Sequence, residues 1–448
     1  MNSEPLPSCN WFGEAPNRGV MARGKRPVRS ARVAECRVAI VGFGTVGRSV
    51  ARILCQSAPG SLRLTHVCSR RVRRQEMEWL PDDVRWTDNV GELLSSDVDV
   101  IVELVGGLEP AGEWIRSALR AGKSVVTANK RLIAHCGPEL LELAHQSGRQ
   151  LAFGASVAGG VPVISALQDG LAGDRLWQVR GILNGTCNYV LTRMESAGVP
   201  FAAAVEEAQK LGFAEADPGE DLDGLDAAAK LAILARAGLR VQLGVDDVLR
   251  RSIRDVAAVD FLYARELGCT IRQVSRAEMS GGSVFAAVQP ALVPLASPLA
   301  RVQGSENLVI ATGEFGGETV FSGFGAGGDP TAVAVVSDLV SLAKTRGNGA
   351  RPAAPRAARE FRSDFFSPHY VRFTVKDRPG IIAALATVFS EHQINIDSVL
   401  QKPGYPKSSL PFVIAFEACS AAVLEQALDK IRPLEFLIQP PVNLPVLN

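Results

Sequence analysis

The stretch "CRVAIVGFGTVGRSVARILCQS", residues 36–57, decides the fold class. An apolar, β-branched run from Arg37 to Val41 meets a glycine turn, and the turn opens into a segment with Val46, Val50, Ile53 and Leu54 at helical spacing. The order is therefore strand, turn, helix. Within the turn, Gly42, Phe43, Gly44, Thr45, Val46 and Gly47 spell GxGxxG. In this pattern the first glycine permits the tight turn, the second lets backbone approach a pyrophosphate, and the third lets helix and strand pack closely. The helix start supplies N–H groups and the positive end of its dipole to phosphate.

Working outward, strand-like runs "LRLTHVCS", "VDVIVELVGG", "KSVVTANK" and "QLAFGAS" alternate with helical stretches such as "AGEWIRSALRAG" and "CGPELLELAHQSG". That alternation predicts a parallel, doubly wound sheet. A site for NAD normally carries Asp or Glu about 20 residues past the glycines to hold the ribose 2′-hydroxyl. Here the region reads "HVCSRRVRR", with Arg70 and Arg71 in place of an acid. Guanidinium groups bind phosphate bidentately, so the expectation is NADP(H) in preference to NAD(H), against the alternative of an exposed basic loop.

Beyond residue 150 the rhythm changes to helices such as "PFAAAVEEAQKLGF" mixed with strands such as "GSVFAAVQPALV", "NLVIATG" and "TVFSGFG", which predicts an α+β domain. The Gly-, Ala-, Arg- and Pro-rich "RGNGARPAAPRAARE" predicts a linker, and a final segment begins strand, turn, helix, strand. The expected organisation is a disordered tail over 1–35, a dinucleotide-binding domain over 36–149, and an α+β domain over 150–345 whose last helix returns to the first domain. A linker over 346–367 and a compact module over 368–448 complete it.

Composition narrows the function. In 448 residues, 47% are hydrophobic and 21% charged, a globular balance. With 48 Lys plus Arg against 47 Asp plus Glu there is no overall field for nucleic acid or an anionic membrane. A small neutral or zwitterionic ligand fits better. The eight cysteines are scattered, without CxxC pairs or clustered zinc spacing, and neither a membrane span nor a secretory h-region is present. A reduced cytoplasm is the expected compartment.

The second informative stretch is "EADPGEDLDGLDAAAK", residues 215–230, with carboxylates Glu215, Asp217, Glu220, Asp221, Asp223 and Asp226 before Lys230. An EF-hand register on Asp221, Asp223 and Gly224 leaves Gly219 and Lys230 at the terminal ligand positions, so a calcium loop fails. A solvated turn suits Asp217-Pro218-Gly219. Asp226 and Lys230 stand i, i+4 on one helical face, which is either a weak surface pair or a partly desolvated proton donor. Hydride chemistry at a carbonyl needs such a donor, and Glu215, Asp226 and Lys230 form a plausible site for a small amino-acid substrate.

Several motifs in order give the chain a family resemblance: "VAIVGFGTVG", "VIVELVGG", "VTANK", "ASVAGGVPVI", "GILNGTCNYVLTRM", "GFAEADPGEDLDGLDAAAKLAIL" and "GFGAGGDPTAVAV". From about residue 36 to the C-terminus the sequence resembles homoserine dehydrogenase. The resemblance implies interconversion of aspartate 4-semialdehyde and L-homoserine with NADPH or NADH, on the route to threonine, methionine and isoleucine. It implies Lys230 as the catalytic proton donor, Glu215 and Asp226 as substrate-holding carboxylates, and Asp221 as a polar support. Lys130, in one motif with Thr127 and Asn129, would lie near cofactor and substrate, and Gly212 and Gly325 would approach the cofactor.

The family's monovalent cation site, usually for Na+, would use backbone carbonyls of Val157, Gly159 and Val161. The glutamate that completes it is replaced here by Gly154. The C-terminal segment resembles an ACT domain of βαββαβ order, with Asp377, Gly380 and Asn395 as candidate effector contacts and threonine as the implied effector. An assembly module without ligand is the alternative. The resemblance implies that 150–345 is a catalytic and dimerisation domain, that 368–448 is a regulatory ACT domain, and that the protein is a homodimer or homotetramer. The rival functions are another amino-acid dehydrogenase of the same fold, or a non-catalytic amino-acid sensor.

Overall fold

The computed structural model describes residues 35–57, 61–70, 77–345 and 360–447. The expected tail, Arg71 and the greater part of the expected linker lie outside them. The elements in chain order are β1 (Cys36–Val41), α1 (Thr45–Gln56), β2 (Leu62–Cys68), β3 (Arg85–Thr87), α2 (Val90–Ser95), β4 (Val100–Glu103), α3 (Ala111–Arg120), β5 (Ser124–Thr127), α4 (Lys130–Gln146), β6 (Leu151–Ala152) and the single turn α5 (Val163–Ser165). There follow β7 (Leu176–Ile182), α6 (Gly185–Ala197), α7 (Phe201–Lys210), α8 (Gly219–Leu222), α9 (Leu225–Leu234), β8 (Leu249–Arg250), α10 (Ala258–Glu266), β9 (Cys269–Ser280), β10 (Ser283–Pro294), β11 (Glu306–Gly313), β12 (Gly317–Phe324) and α11 (Gly328–Lys344). The C-terminal module comprises β14 (Phe366–Val375), α12 (Ile381–Glu391), β15 (Ile396–Leu400), β16 (Leu410–Ser420), α13 (Ala421–Ile431) and β17 (Val442–Pro445), preceded by β13 (Glu360–Arg362).

The first sheet is parallel, in the order β3-β2-β1-β4-β5-β6. Its central strands β1, β4 and β5 are mostly apolar, as VAIV, VIV and VV, because both faces are covered. Along β1, Val38 and Ile40 pack with Val50, Ala51 and Leu54 of α1 and with Ala332, Val335 and Leu339 of α11. Ala39 and Val41 face the opposite layer, with Ile115 and Leu119 of α3 and Leu132 and Ile133 of α4. The period of two along a strand thus serves two helical layers. Helix α11, far along the chain, lies beside α1, and Ser49 and Arg52 each reach Asp329 Oδ1 at 2.6 Å.

The second sheet runs β12-β11-β7-β9-β10-β13, with β8 also paired to β10. Its spine is the antiparallel hairpin of β9 and β10, closed by Gly281-Gly282, whose φ values of 59° and 87° suit a tight two-residue turn. Within the stretch expected as linker, Glu360–Arg362 pair in parallel with β10. The third sheet, β15-β16-β14-β17, is antiparallel, with α12 and α13 packed over a core of Phe373, Leu385, Phe389, Phe412 and Leu428. Its order along the chain is βαββαβ. Arg372 of β14 bonds Asp260 of α10, so this module is held against the second domain through a buried ion pair.

Candidate active site

Strands β1, β2 and β4 end together around a cavity of about 620 Å³, lined by Gly42, Phe43, Gly44, Ser69, Arg70, Asp88 and Leu104 among others. This is the point where strand order reverses, and ligands of open α/β sheets bind there. Gly42 has φ 101° and its N–H donates to the Cys68 carbonyl at 3.0 Å. A Cβ at Gly47 would run into the Gly42 carbonyl oxygen, so the turn closes only around glycine. No side chain caps α1 at Gly44, which leaves its first N–H groups to an anion. Thr45 begins the helix, Val46 packs into the sheet's helical layer, and Phe43 meets Trp86 edge-on at 4.9 Å. Arg70 lines the cavity, and so does an acid the sequence reading did not single out, Asp88.

A second missed acid organises the next strands. Glu103, the buried last residue of β4, accepts from the N–H groups of Val105 at 2.8 Å and Gly106 at 2.9 Å, and from Thr127 Oγ1 at 2.6 Å. Thr127 Oγ1 accepts from Asn129 N–H, Asn129 Nδ2 donates to the Gly107 carbonyl at 2.6 Å, and Asn129 Oδ1 caps α4 at Leu132 N–H. These bonds tie the ends of β4 and β5 together and fix where Lys130, the first residue of α4, leaves the sheet.

Lys130 reaches Asp226, and there the two domains meet. Asp226 is buried at 6% exposure in the first turn of α9. Its Oδ1 is ion-paired with Lys130, and its Oδ2 lies 2.8 Å from Lys230 Nζ and 2.9 Å from Asn184 Nδ2. Asn184 Nδ2 also donates to Asp221 Oδ1 at 2.6 Å, while Asn184 Oδ1 caps α6 at Cys187 N–H. Lys230 Nζ donates to the Leu183 carbonyl at 2.8 Å. With two of its three N–H groups engaged, the ammonium has one left for a ligand.

The electrostatics follow from burial and pairing. Burial pushes the Asp226 carboxyl upward, but the Lys230 and Lys130 charges outweigh it and hold the group well below its ordinary range. Burial presses Lys130 toward neutrality, and the Asp226 charge more than offsets this, raising its pKa. Beneath the pair, burial drives the Cys187 thiol well above its usual range, so its Sγ is a neutral donor to the Asp221 carbonyl at 3.1 Å. Asn184 stood inside the quoted "GILNGTCNYV" without a role. An Asn directly before a helix is the capping signal that marks it.

Other candidates stand apart. Glu215 is exposed after α7, its carbonyl accepting from Gln209 Nε2 at 3.2 Å, and the bonds joining Asp221, Asn184, Asp226 and the two lysines do not include its side chain. Gly212, with φ 77°, terminates α7 through its N–H to the Gln209 carbonyl. Gly325 lies against Asn307, whose amide a Cβ would overlap, and against Gly159. Asp377 and Gly380 sit at the start of α12 and Asn395 just past its end, separated by the 11-residue helix, about 16 Å. Asn395 Nδ2 donates to Glu417 Oε2 at 3.1 Å.

In the loop of Val157, Gly159 and Val161, the Val161 carbonyl already accepts from Val163 N–H at 2.7 Å. Gly154 N–H donates to Asp338 Oδ2 at 2.8 Å, and a Cβ at 154 would meet Asp338 Oδ1 at 2.8 Å. Position 154 thus offers no carboxylate of its own and the Asp338 carboxylate stands against it instead, while the Val161 carbonyl keeps its second lone pair. Among the described residues, no group of three or more His, Cys, Asp or Glu is arranged to hold a metal ion. Burial, partly opposed by the Gly154 N–H, pushes the Asp338 carboxyl up to about 6.

Three family models match: homoserine dehydrogenase over residues 162–340, the homoserine dehydrogenase NAD binding domain over 42–154, and the ACT domain over 369–436. A homoserine dehydrogenase of Mycobacterium tuberculosis is 40% identical over 428 residues, covering 89% of this chain and 94% of the relative. A crystal structure of a homoserine dehydrogenase from Thiobacillus denitrificans superposes with a TM-score of 0.85 at 30% identity, covering 92% of this chain and 98% of that one. A hyperthermophilic archaeal homoserine dehydrogenase mutant, solved in complex with NADPH, gives a TM-score of 0.60 at 27% identity over 70% of this chain and 98% of its own. On the dinucleotide turn, the shared Asp226 between two lysines and a likeness that spans nearly its whole length, the chain belongs to the homoserine dehydrogenase family, oxidoreductases acting on a CH–OH group, and carries a C-terminal ACT domain.

Proposed function

We propose that the protein interconverts aspartate 4-semialdehyde and L-homoserine with NADP(H) in preference to NAD(H), in the biosynthesis of threonine, methionine and isoleucine. One observation carries the reading: Lys130, at the carboxyl edge of the dinucleotide sheet, shares Asp226 with Lys230. That arrangement brings a proton-bearing lysine to the end of the sheet where dinucleotides bind. When bound, the nicotinamide supplies or accepts the hydride. Lys230 gives its remaining N–H proton to the carbonyl oxygen as it becomes an alkoxide, and recovers it from the hydroxyl in reverse. Asp226 keeps the Lys230 side chain aimed, and Lys130 balances the carboxylate. Asp221 acts through Asn184, and the exposed Glu215 is the carboxylate left to meet the substrate's amino group.

Arg70 in the cavity supports the preference for a 2′-phosphate, and a relative holds NADPH. Gly212 and Gly325 are proposed as backbone approaches to the cofactor. No step is assigned to Na+. The ACT domain is proposed to bind an amino-acid effector, threonine, between Asp377 and Gly380 of one subunit and Asn395 of another. Exposed Trp177, Val320 and Phe324 on the second sheet favour a homodimer or homotetramer. No described helix is long and apolar enough to cross a membrane, and a cytoplasmic location is proposed.

The test is direct. Purified protein mixed with homoserine and NADP+ should produce reduced cofactor, read by absorbance, faster than with NAD+. Absence of turnover with either cofactor would overturn the reading.

A further inference from the structure

The carboxylate after Asp221 in the acidic stretch faces away from the lysines. Asp223 Oδ1 lies 2.7 Å from Ser252 Oγ and 3.0 Å from Arg254 Nε. The same serine hydroxyl is 3.1 Å from the Leu222 carbonyl, which also accepts from Ile253 N–H at 3.2 Å. Residues 252–254 thus grip the C-terminal end of α8. A helix of four residues cannot hold its own conformation, so tertiary contacts set its position. What α8 carries is Asp221, which bonds Asn184, which bonds the Asp226 oxygen that takes Lys230.

The gripping loop is itself fixed from the ACT domain. Arg372 of β14 donates from Nη2 to the Asp255 carbonyl at 2.8 Å and from Nε to Asp260 Oδ1 at 2.7 Å. Tyr370 donates its hydroxyl to the same oxygen at 2.7 Å, and Asp260 Oδ2 accepts from Ala257 N–H at 2.7 Å. Asp260 is fully buried and Arg372 is 4% exposed, so neither bond is exchanged with water at will. Every link between Arg372 and Lys230 is a direct contact or a short run of backbone.

We propose that Ser252, Arg254 and Arg372 are positioning residues for the reaction: through Asp223 and the Asp255 carbonyl they fix α8, and with it the Asp221–Asn184–Asp226 contacts that aim Lys230. The ACT domain is then a mechanical part of the catalytic centre, whether or not an effector is bound. The inference rests on the homoserine dehydrogenase reading above. Contiguity alone does not establish coupling, so the test measures it.

The experiment uses the full chain with Ser252→Ala, Arg254→Ala and Tyr370→Phe, plus Ser252→Thr as the hydroxyl-retaining rescue. Ser252 is half-buried and Arg254 is 47% exposed on the loop between α8 and the ACT domain, so these variants fold. Each alanine variant should lower kcat for homoserine about 5- to 30-fold, the effect of losing one or two contacts in a network. The cofactor KM should stay within about twofold, Ser252→Thr should recover most of the rate, and Tyr370→Phe with Arg254→Ala should lose less than the product of the single losses. Hydrogen exchange gives a readout independent of turnover: amides of residues 219–226 should exchange faster in the variants while those of the first sheet do not. Unchanged kcat and homoserine KM in an active wild type, or exchange that quickens equally everywhere, would overturn the proposal. A wild type inactive on homoserine would sink the functional reading alone, and the exchange pattern would still decide the mechanical link.

Discussion

Lys230→Ala is the perturbation that bears most directly on the site. The substitution removes one of two ammonium groups from Asp226, but the carboxylate keeps Lys130 and Asn184, so no buried charge is left unpaired. The Leu183 carbonyl loses its donor, a cost of about 1 to 3 kcal/mol that a domain of this size tolerates. The fold should therefore persist. The proton for the alkoxide must then come from water, and kcat should fall by roughly 10² to 10⁴, equivalent to about 3 to 5 kcal/mol in the barrier. The glycine turn that would hold the pyrophosphate is a separate element, so the cofactor dissociation constant, read by fluorescence titration, should stay within about threefold. Steady-state absorbance of the reduced cofactor gives kcat, and circular dichroism checks the fold. A variant that folds, binds cofactor and retains kcat within about threefold of wild type would refute the assignment.

Three further outcomes follow from particular contacts. Gly47→Ala places a methyl against the Gly42 carbonyl and should abolish cofactor binding or destabilise the first domain by at least about 1 to 3 kcal/mol, read by titration and thermal melting; normal binding would show that the turn can open. Arg70→Asp should move the ratio of kcat/KM for NADP+ over NAD+ toward NAD+, by removing a phosphate partner from the cavity; an unchanged ratio would count against Arg70. Asp338, whose folded pKa of about 6 exceeds its unfolded value, costs stability above about pH 6 and ceases to do so as pH falls toward 4. Asp338→Asn should accordingly raise Tm above that of wild type at pH 8, by an amount of order 1 to 3 kcal/mol in stability, with the gap closing near pH 4.5; a gap independent of pH would contradict the burial of that carboxyl.

The sequence by itself determined whatever depends on neighbours along the chain. Strand, GxGxxG and helix specify the dinucleotide turn locally: Gly47 answers the Gly42 carbonyl within the motif, although the backbone that crowds Gly42 itself is that of Leu104, at the end of β4. The i, i+4 spacing put Asp226 and Lys230 on one face, and they are ion-paired at 2.8 Å. The alternation of strands and helices also carried the parallel sheet, while the βαββαβ order of the last module came with the resemblance to an ACT domain. Only the tertiary structure decided what surrounds the pair. Asn184 reaches Asp226 across 42 residues, Lys230 reaches Leu183 across 47, and Glu103 joins Thr127 across 24. Lys130 and Asp226 meet because the second domain docks on the carboxyl edge of the first sheet, and α11 lies beside α1 through the same long-range burial of apolar faces. Periodicity and capping are read within a few residues, whereas the burial that takes an i, i+4 pair out of water and sets a second lysine beside it is a property of packing between segments far apart in the chain.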